Sequence, residues 1–128
     1  MRRNMKQMSI WPPLVLKAFD TLFNERKYDA AEKLWSPGYL QHSAHIPQDR
    51  DGLFGLVRAL PDNARYEASL IVAEGDLVFV HSRFSNIGAP AALTTVDIVH
   101  VEDGKLAEHW DVRQEEAKKA DSKSGLPM

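Results

Sequence analysis

A chain of 128 residues with 44% hydrophobic and 27% charged side chains is suited to one compact domain with a single core. Its net charge of −2 provides no field for gathering nucleic acid or an anionic membrane surface, and the lack of cysteine excludes disulfides, thiolate metal sites and a cysteine nucleophile. No stretch approaches the ~20 apolar residues of a membrane span. We therefore expect no nucleic acid or membrane as a partner and a cytoplasmic location by default.

The chain begins with a polar, methionine-rich segment that we expect to form a flexible arm over residues 1–11. Its positive charges lead into Pro12 and Pro13 without an apolar run, so it does not have the pattern of a signal peptide. Proline is tolerated in the first turn of a helix, and apolar residues then recur at helical spacing. The pattern predicts an amphipathic helix from Pro12 to about Asn24.

Two further helices are predicted before the chain changes its apolar period. The first runs from about Asp29 to a Ser-Pro-Gly stop, and a brief strand follows it at Tyr39. The second ends at Pro61, with Asp49 or Asp51 as its N-cap.

Four successive antiparallel strands are predicted in the second half of the chain. Residues 66–73 and 77–85 flank a Glu-Gly-Asp turn, and two more strands span 93–114. The tail over 115–128 is charged and poor in large apolar groups, so we expect it to be frayed. Helices followed by strands indicate an α+β fold, with the helices covering one face of the sheet. A strongly curved sheet of this size would leave a cavity at its wide end, a preferred place for small molecules.

The last two predicted strands read VDIVHVEDGKLAEHWDVRQ and carry acidic, imidazole and indole groups within an otherwise plain strand pattern. Chains give up strand stability in this way at functional sites. The turn at the Asp-Gly pair decides which groups face each other. A two-residue type I′ turn would place Asp97 opposite Trp110, with His109 and Asp111 on the other face.

A type I turn closed by a bulge at Gly104 would instead place Asp97 opposite His109, with Asp111 on the same face. We predict this bulged register because it separates polar from apolar side chains more cleanly. The face opposite Asp97 would then collect the apolar residues Val96, Ile98, Leu106, Trp110 and Val112.

Four segments carry a resemblance to a known family. They are Tyr39-Leu40-Gln41-His42 followed by His45, then GDLVFVHS at 75–82, Val96-Asp97-Ile98, and EDGKLAEHWD at 102–111. Together they resemble SnoaL-like polyketide cyclase domains, which belong to the cone-shaped α+β barrel superfamily of ketosteroid isomerase and nuclear transport factor. The resemblance covers roughly residues 12–114, which we take as the domain.

This resemblance implies a cone-shaped barrel in which N-terminal helices pack in the concave face of a strongly curved, mostly antiparallel sheet. It also implies a cofactor-free pocket where a carboxylate and an imidazole move protons next to a carbonyl, as in the aldol condensation of the cyclases. The positions that match the pocket motif are Asp97, His109 and Asp111, with His42, His45 and His81 from earlier elements.

We predict Asp97, His109 and Asp111 as the catalytic residues. Aspartate is depleted in strands and is almost never buried without a partner, so Asp97 is the candidate general base. The alternative is a structural carboxylate paired with His109 or Arg83. His109 and Asp111 would orient one another and stabilise a developing enolate, unless they lie on a solvated strand edge.

Five residues are predicted to contact substrate: Tyr39, His42, His45, His81 and Trp110. For Trp110 the alternative is packing in the core or in a dimer, and for His45 it is a surface loop. His42 and His45 with His109 or an aspartate would suit a two-histidine, one-carboxylate metal site, but the spacing is a weak signal. We predict no metal and no cofactor.

The residues and the resemblance together favour a small-molecule enzyme for acid/base chemistry next to a carbonyl, an aldol cyclase or isomerase acting on a small hydrophobic carbonyl compound. The alternatives are a non-catalytic module that binds a ligand or partner in the same cone, and a metal-assisted hydrolase or lyase. The outer apolar face of the sheet predicts a homodimer.

Overall fold

In the computed structural model, which describes residues 5–126 and side chains from Trp11 onward, three helices precede or flank the first strand of a five-stranded sheet. The helices are α1 (Met5–Phe19), continued by a π-helical segment (Asp20–Asn24), α2 (Tyr28–Glu32) and α3 (Arg50–Ala59). The strands are β1 (Trp35–Gln41), β2 (Arg65–Glu74), β3 (Leu77–Ser85), β4 (Leu93–Glu102) and β5 (Lys105–Glu115).

The first helix begins earlier than the prolines suggested. Helix α1 starts at Met5 and contains both Pro12 and Pro13, so the predicted start at Pro12 is wrong. Trp11 packs against the core, which shows that the apolar stripe of the helix continues upstream of the prolines. Residues 1–4 of the predicted arm lie outside the described residues.

The third helix has the cap that its sequence predicted. The Asp49 side chain accepts a hydrogen bond from the Gly52 backbone N–H at 2.8 Å and so satisfies one of the donors left free in a first helical turn. None of the helices in the described residues is long and apolar enough to cross a membrane.

The sheet has the strand order β1-β5-β4-β3-β2, with β1 parallel to β5 and all other neighbours antiparallel. It curls around the helices without closing, because β1 and β2 remain its two edges. This is the predicted cone-shaped α+β fold, and among the described residues its fully buried apolar side chains are those of Val15, Ala18, Leu22, Ala31, Trp35, Val57, Val78, Val80, Val99 and Leu106.

The turn between β4 and β5 differs from the one we predicted. Asp103 (φ 53°) and Gly104 (φ 72°) both have positive φ, and Glu102 pairs with Lys105, as in a two-residue type I′ hairpin. The bulge lies farther along β5, where the pairing skips Ala107. The predicted bulge at Gly104 is therefore wrong.

The displaced bulge changes partners but preserves the predicted face. Asp97 pairs with Asp111, and His109 pairs with Val99, so the predicted pairing of Asp97 with His109 is wrong. Because the register is still displaced by one residue from that of an unbulged hairpin, although in the direction opposite to the predicted one, Asp97, His109 and Asp111 share the concave face as predicted. Leu106 lies before the bulge and is fully buried there, which corrects its predicted place on the outer face.

Beyond Glu115 the chain has only turns and coil as far as Leu126. Glu116, the first residue after β5, is nevertheless held in place by hydrogen bonds. The Glu116 backbone N–H donates to the Ala92 carbonyl at 2.8 Å, and its carboxylate accepts from Arg83 at 2.5 Å.

Candidate active site

An open cavity of about 140 Å³ lies between the helices and the concave face of the sheet. Most of its wall is apolar and comes from the helical side and from the ends of β3 and β4: Phe19, Phe23, Ile46, Leu53, Leu60, Phe84, Ile87 and Leu93. Its polar wall comes from β1, β4 and β5: Tyr39, Gln41, Thr95, Asp97, His109, Asp111 and Arg113. A mostly apolar cavity with a few converging polar groups is typical of a small-molecule site.

Three ionisable side chains meet in the polar wall. Asp97, His109 and Asp111 each offer an oxygen or nitrogen within 4.8 Å of the other two. Asp97 is 2% exposed and His109 is 6% exposed, whereas Asp111 is half-buried. The alternation of side chains along β4 and β5 brings them together, so the predicted meeting of an aspartate and an imidazole from neighbouring strands is confirmed.

The His109 ring is held at both nitrogens. Nε2 lies 2.9 Å from Asp97 Oδ1, and Nδ1 lies 2.6 Å from Gln41 Oε1. The second oxygen of Asp97 accepts a hydrogen bond from Thr95 Oγ1 at 2.9 Å. The imidazole and the Asp97 carboxylate are therefore fixed in one orientation by neighbours on three strands.

The orientation of the Gln41 amide follows from its other two bonds. Its Oε1 accepts from the Ser43 backbone N–H at 3.1 Å, and its Nε2 donates to Tyr39 Oη at 2.8 Å. The Gln41 oxygen therefore faces the ring, so His109 Nδ1 carries a hydrogen. The bond between His109 Nε2 and Asp97 needs one more proton, which makes the pair an imidazolium with a carboxylate or a neutral ring with a carboxylic acid.

Tyr39 supplies a neutral hydroxyl to the cavity. Burial raises the pKa of Tyr39 well above its usual range, and the nearby charges of Asp97 and Asp111 raise it further. Its oxygen accepts a hydrogen bond from Gln41, so its own hydrogen is available for donation. Tyr39 is thus one of the predicted substrate contacts that the fold does bring to the cavity.

Two charged groups of the cavity wall have no partner within residues 5–126. The Asp111 carboxylate and the Arg113 guanidinium make no hydrogen bond or ion pair with any described residue, although both line the cavity. Both are half-buried on β5. They are the groups that a bound molecule could engage without breaking an existing bond.

The other predicted substrate contacts lie away from the cavity. His81 is on the outer face of β3, where its Nδ1 lies 2.6 Å from Ser69 Oγ, because the inward positions of that strand are Val80 and Ser82. His45 is exposed in the loop after β1. Neither residue is brought to the cavity wall.

His42 and Trp110 meet on the outside of the sheet. Their rings stack at 4.9 Å with an interplanar angle of 3°, and His42 Nε2 lies 2.5 Å from Glu108 Oε2. His42 is therefore not placed with His109, and the metal alternative built on His42 and His45 is not assembled by the fold. The acid and imidazole groups that do cluster are those of the cavity, where Asp97 and His109 already bond to one another.

Three polar residues of the cavity were absent from the predicted site: Gln41, Thr95 and Arg113. Each lies two residues along the same strand from a predicted site residue: Gln41 from Tyr39, Thr95 from Asp97, and Arg113 from Asp111. The strand period of two therefore contained the signal that would have included them.

A curled, mostly antiparallel sheet around N-terminal helices, with an aspartate and histidine cluster inside, places the chain among the cone-shaped α+β proteins. Residues 15–109 match the family model of the SnoaL-like domain, and the chain belongs to that family. No curated protein matches the sequence.

Solved structures from several bacteria have the same fold. TsrD from Streptomyces laurentii is 20% identical, with a TM-score of 0.68 over 88% of this chain and 92% of that one. A candidate ketosteroid isomerase from Kribbella flavida is 14% identical, with a TM-score of 0.73 over 88% and 83%. IdmH, a candidate polyketide cyclase from Streptomyces antibioticus, is 23% identical, with a TM-score of 0.64 over 80% and 91%. At these identities the similarity shows the fold.

Proposed function

We propose that this protein catalyses proton transfer at the carbon next to a carbonyl of a small, largely apolar molecule, as an aldol cyclase or an isomerase does, without a cofactor. The observation that carries this proposal is the Asp111 carboxylate, which lines the cavity without a partner among the described residues, beside a bonded Asp97–His109 pair. Membership of the SnoaL-like family and the candidate cyclase and isomerase among the similar structures support it.

The hydrogen bonds favour Asp111 over Asp97 as the general base, which exchanges the roles that the sequence suggested. Both oxygens of Asp97 are engaged, by His109 and by Thr95, and the residue is 2% exposed. A base must reach the proton it removes directly or through one water. Asp111 meets this condition because its carboxylate faces the cavity and no described group competes for it.

The proposed reaction begins when an Asp111 oxygen takes a proton from the carbon next to the substrate carbonyl. The electron pair of the broken C–H bond moves onto the carbonyl oxygen, and the Tyr39 hydroxyl donates a hydrogen bond to the enolate that forms. A carboxylate base placed in this way contributes on the order of 10²–10⁴ in rate, and a preorganised donor for the oxyanion adds to it.

The enolate then has two fates, which separate the cyclase from the isomerase. In an aldol cyclisation its carbon forms a bond to a second carbonyl carbon, and the resulting alkoxide takes a proton. In an isomerisation the proton held by Asp111 returns to a different carbon. We propose that the alkoxide takes the proton held by Asp111, which restores the carboxylate base, because both nitrogens of His109 and both oxygens of Asp97 are already engaged.

The test is deuterium exchange at the acidic benzylic position of β-tetralone, a compact apolar ketone, followed by NMR in deuterium oxide. We expect the wild-type protein to accelerate exchange and Asp111→Asn to lower the rate by about 10²–10⁴. Glu115→Gln is the matched control, since it neutralises an exposed carboxylate at the end of the same strand. Equal rates for the wild type and Asp111→Asn would refute the proposed base.

The apolar wall of the cavity supports one alternative, a non-catalytic module that binds an apolar ligand. Such a module would bind β-tetralone without accelerating its exchange. Binding measured by calorimetry together with exchange measured on the same sample therefore separates the two functions.

We also propose that the protein forms a homodimer through the outer face of its sheet. Large apolar side chains are exposed there, with Leu70 at 69%, Val72 at 65% and Val112 at 68%. Contiguous exposed apolar surface of this kind is typical of an interface. Sedimentation equilibrium should give twice the chain mass for the wild type and the chain mass for Val72→Lys, and a monomeric wild type would contradict the proposal.

A further inference from the structure

Arg113 is a positive charge in the cavity wall for which the proposed reaction has no use. Its side chain is half-buried and lines the cavity, yet within residues 5–126 it has neither an ion pair nor a hydrogen bond. By contrast, Arg83 on β3 is paired with Glu116 and Glu67, and Arg50 on α3 is paired with Glu32. A guanidinium offers five hydrogen-bond donors in a planar fork, so an unengaged one in a cavity is a ready binding group for an oxyanion.

The strand sets where this group stands relative to the chemistry. His109, Asp111 and Arg113 are alternate residues of β5 on its concave face, and Arg113 pairs with Thr95 across β4. Two residues along a strand correspond to about 7 Å. A molecule lying along β5 with its acidic carbon at Asp111 would therefore present atoms about 7 Å farther on to Arg113.

We propose that Arg113 binds a carboxylate of the substrate, so that the substrate is a keto acid with an apolar body between its two functional groups. This inference rests on the proposed function, because the position of Asp111 defines which end of the molecule reacts. The apolar body fits the aromatic wall formed by Phe19, Phe23 and Phe84.

The charges of the cavity explain why an anion would need such a partner. Whichever atom holds the proton, the Asp97–His109 pair is neutral as a unit, and Asp111 adds one negative charge. A carboxylate entering beside Asp111 is repelled unless a cation offsets it, and like charges on neighbouring groups disfavour one another. Arg113 supplies that cation on the next inward position, and its fork allows two parallel hydrogen bonds to one carboxylate.

The test compares two probes of the same shape: β-tetralone carrying a carboxylate on its aromatic ring, placed away from the acidic carbon, and the corresponding carboxamide. Calorimetry measures the binding of each probe at neutral pH. We expect the wild type to bind the carboxylate about tenfold to a hundredfold more tightly than the carboxamide, as a charge-assisted hydrogen-bonded pair provides. Arg113→Met should abolish this preference and leave carboxamide binding unchanged.

Two further variants keep the result interpretable. Arg113→Lys retains the charge without the fork and should keep only part of the preference. Lys105→Met removes a positive charge from the opposite end of β5 and should keep all of it. A wild type that does not prefer the carboxylate, or a preference that persists in Arg113→Met, would overturn the proposal.

The same carboxylate probe separates this inference from the function on which it rests. Tight binding that depends on Arg113 without deuterium exchange would leave the anion site standing and refute Asp111 as a base. If the acid and the amide bind with equal affinity and both undergo deuterium exchange at equal rates, the role of Asp111 as base is supported and the anion site is overturned. Thermal unfolding of Arg113→Met, monitored by circular dichroism, confirms that the variant compared is folded.

Discussion

Replacing Asp97 by asparagine and by alanine tests the proton count of the buried pair. Asparagine would accept from Thr95 with its oxygen and donate to His109 Nε2 with its amide, so a neutral ring with its hydrogen on Nδ1 would keep every hydrogen bond. The substitution then replaces one charge-assisted hydrogen bond by a neutral one, which should lower the free energy of unfolding by about 1 kcal/mol. Alanine removes both bonds and leaves the imidazole buried without its partner, which costs about 3–5 kcal/mol.

Urea unfolding at neutral pH, followed by tryptophan fluorescence, measures both effects. With a slope of ~2 kcal/mol per molar urea, the unfolding midpoint should fall by about 0.5 M for Asp97→Asn and by about 2 M for Asp97→Ala. Nitrogen-15 NMR of Asp97→Asn should show His109 neutral with its hydrogen on Nδ1. If asparagine destabilises as much as alanine, or if the ring carries its hydrogen on Nε2, the proton assignment of the site is refuted.

Three further predictions concern the core, the turn and alkaline stability. Leu106→Ala should cost about 2–5 kcal/mol because Leu106 is fully buried before the bulge, whereas Val112→Ala, at a 68% exposed position, should change monomer stability by less than about 0.5 kcal/mol in urea titrations. Gly104→Ala should cost about 1 kcal/mol, since its φ of 72° strains any residue with a Cβ, and an unchanged midpoint would contradict the type I′ turn. Burial raises the folded-state pKa of both Tyr39 and Tyr66 above 10.0, so the unfolded chain loses these protons first and stability should fall as pH rises beyond about 10. Tyr66→Phe should flatten that decline, and a pH-independent midpoint between pH 9 and 11 would contradict it.

The face on which the reactive groups meet could be predicted from the sequence, but their partners could not. Side chains alternate along a strand, so what decides the face is whether an odd or even number of residues separates each group from the turn. A bulge at Gly104 and a bulge at Ala107 each shift the unbulged register by one residue, in opposite directions, and both put Asp97, His109 and Asp111 on one face. Lys105 and Leu106 lie between the two positions, and Leu106 is the one of them whose face was predicted, which is why that prediction was wrong.

The strand pattern did not determine which face of the sheet His81 would occupy. In β3 the inward positions Val78 and Val80 alternate with Leu77 and Phe79, so both faces of the strand are apolar in sequence. Periodicity identifies an inward face only when the other face is polar. The apolar outer face, with Phe79 36% exposed, removed that contrast and left the direction of His81 open until the fold was known.

The bulge at Ala107 is the local feature that brings Asp97, His109 and Asp111 together on the concave face of the sheet. Without it the type I′ turn would send Trp110 and Val112 into the cone and His109 and Asp111 to the outside. The two residues beside the bulge are also bonded on their other sides, since the Val101 N–H donates to the Asp76 carbonyl at 2.8 Å and the Leu106 N–H donates to the Leu34 carbonyl at 2.9 Å. Because these partners come from the β2–β3 turn and the end of the helical segment, the register that faces Asp111 toward the cavity is held by three separate parts of the chain.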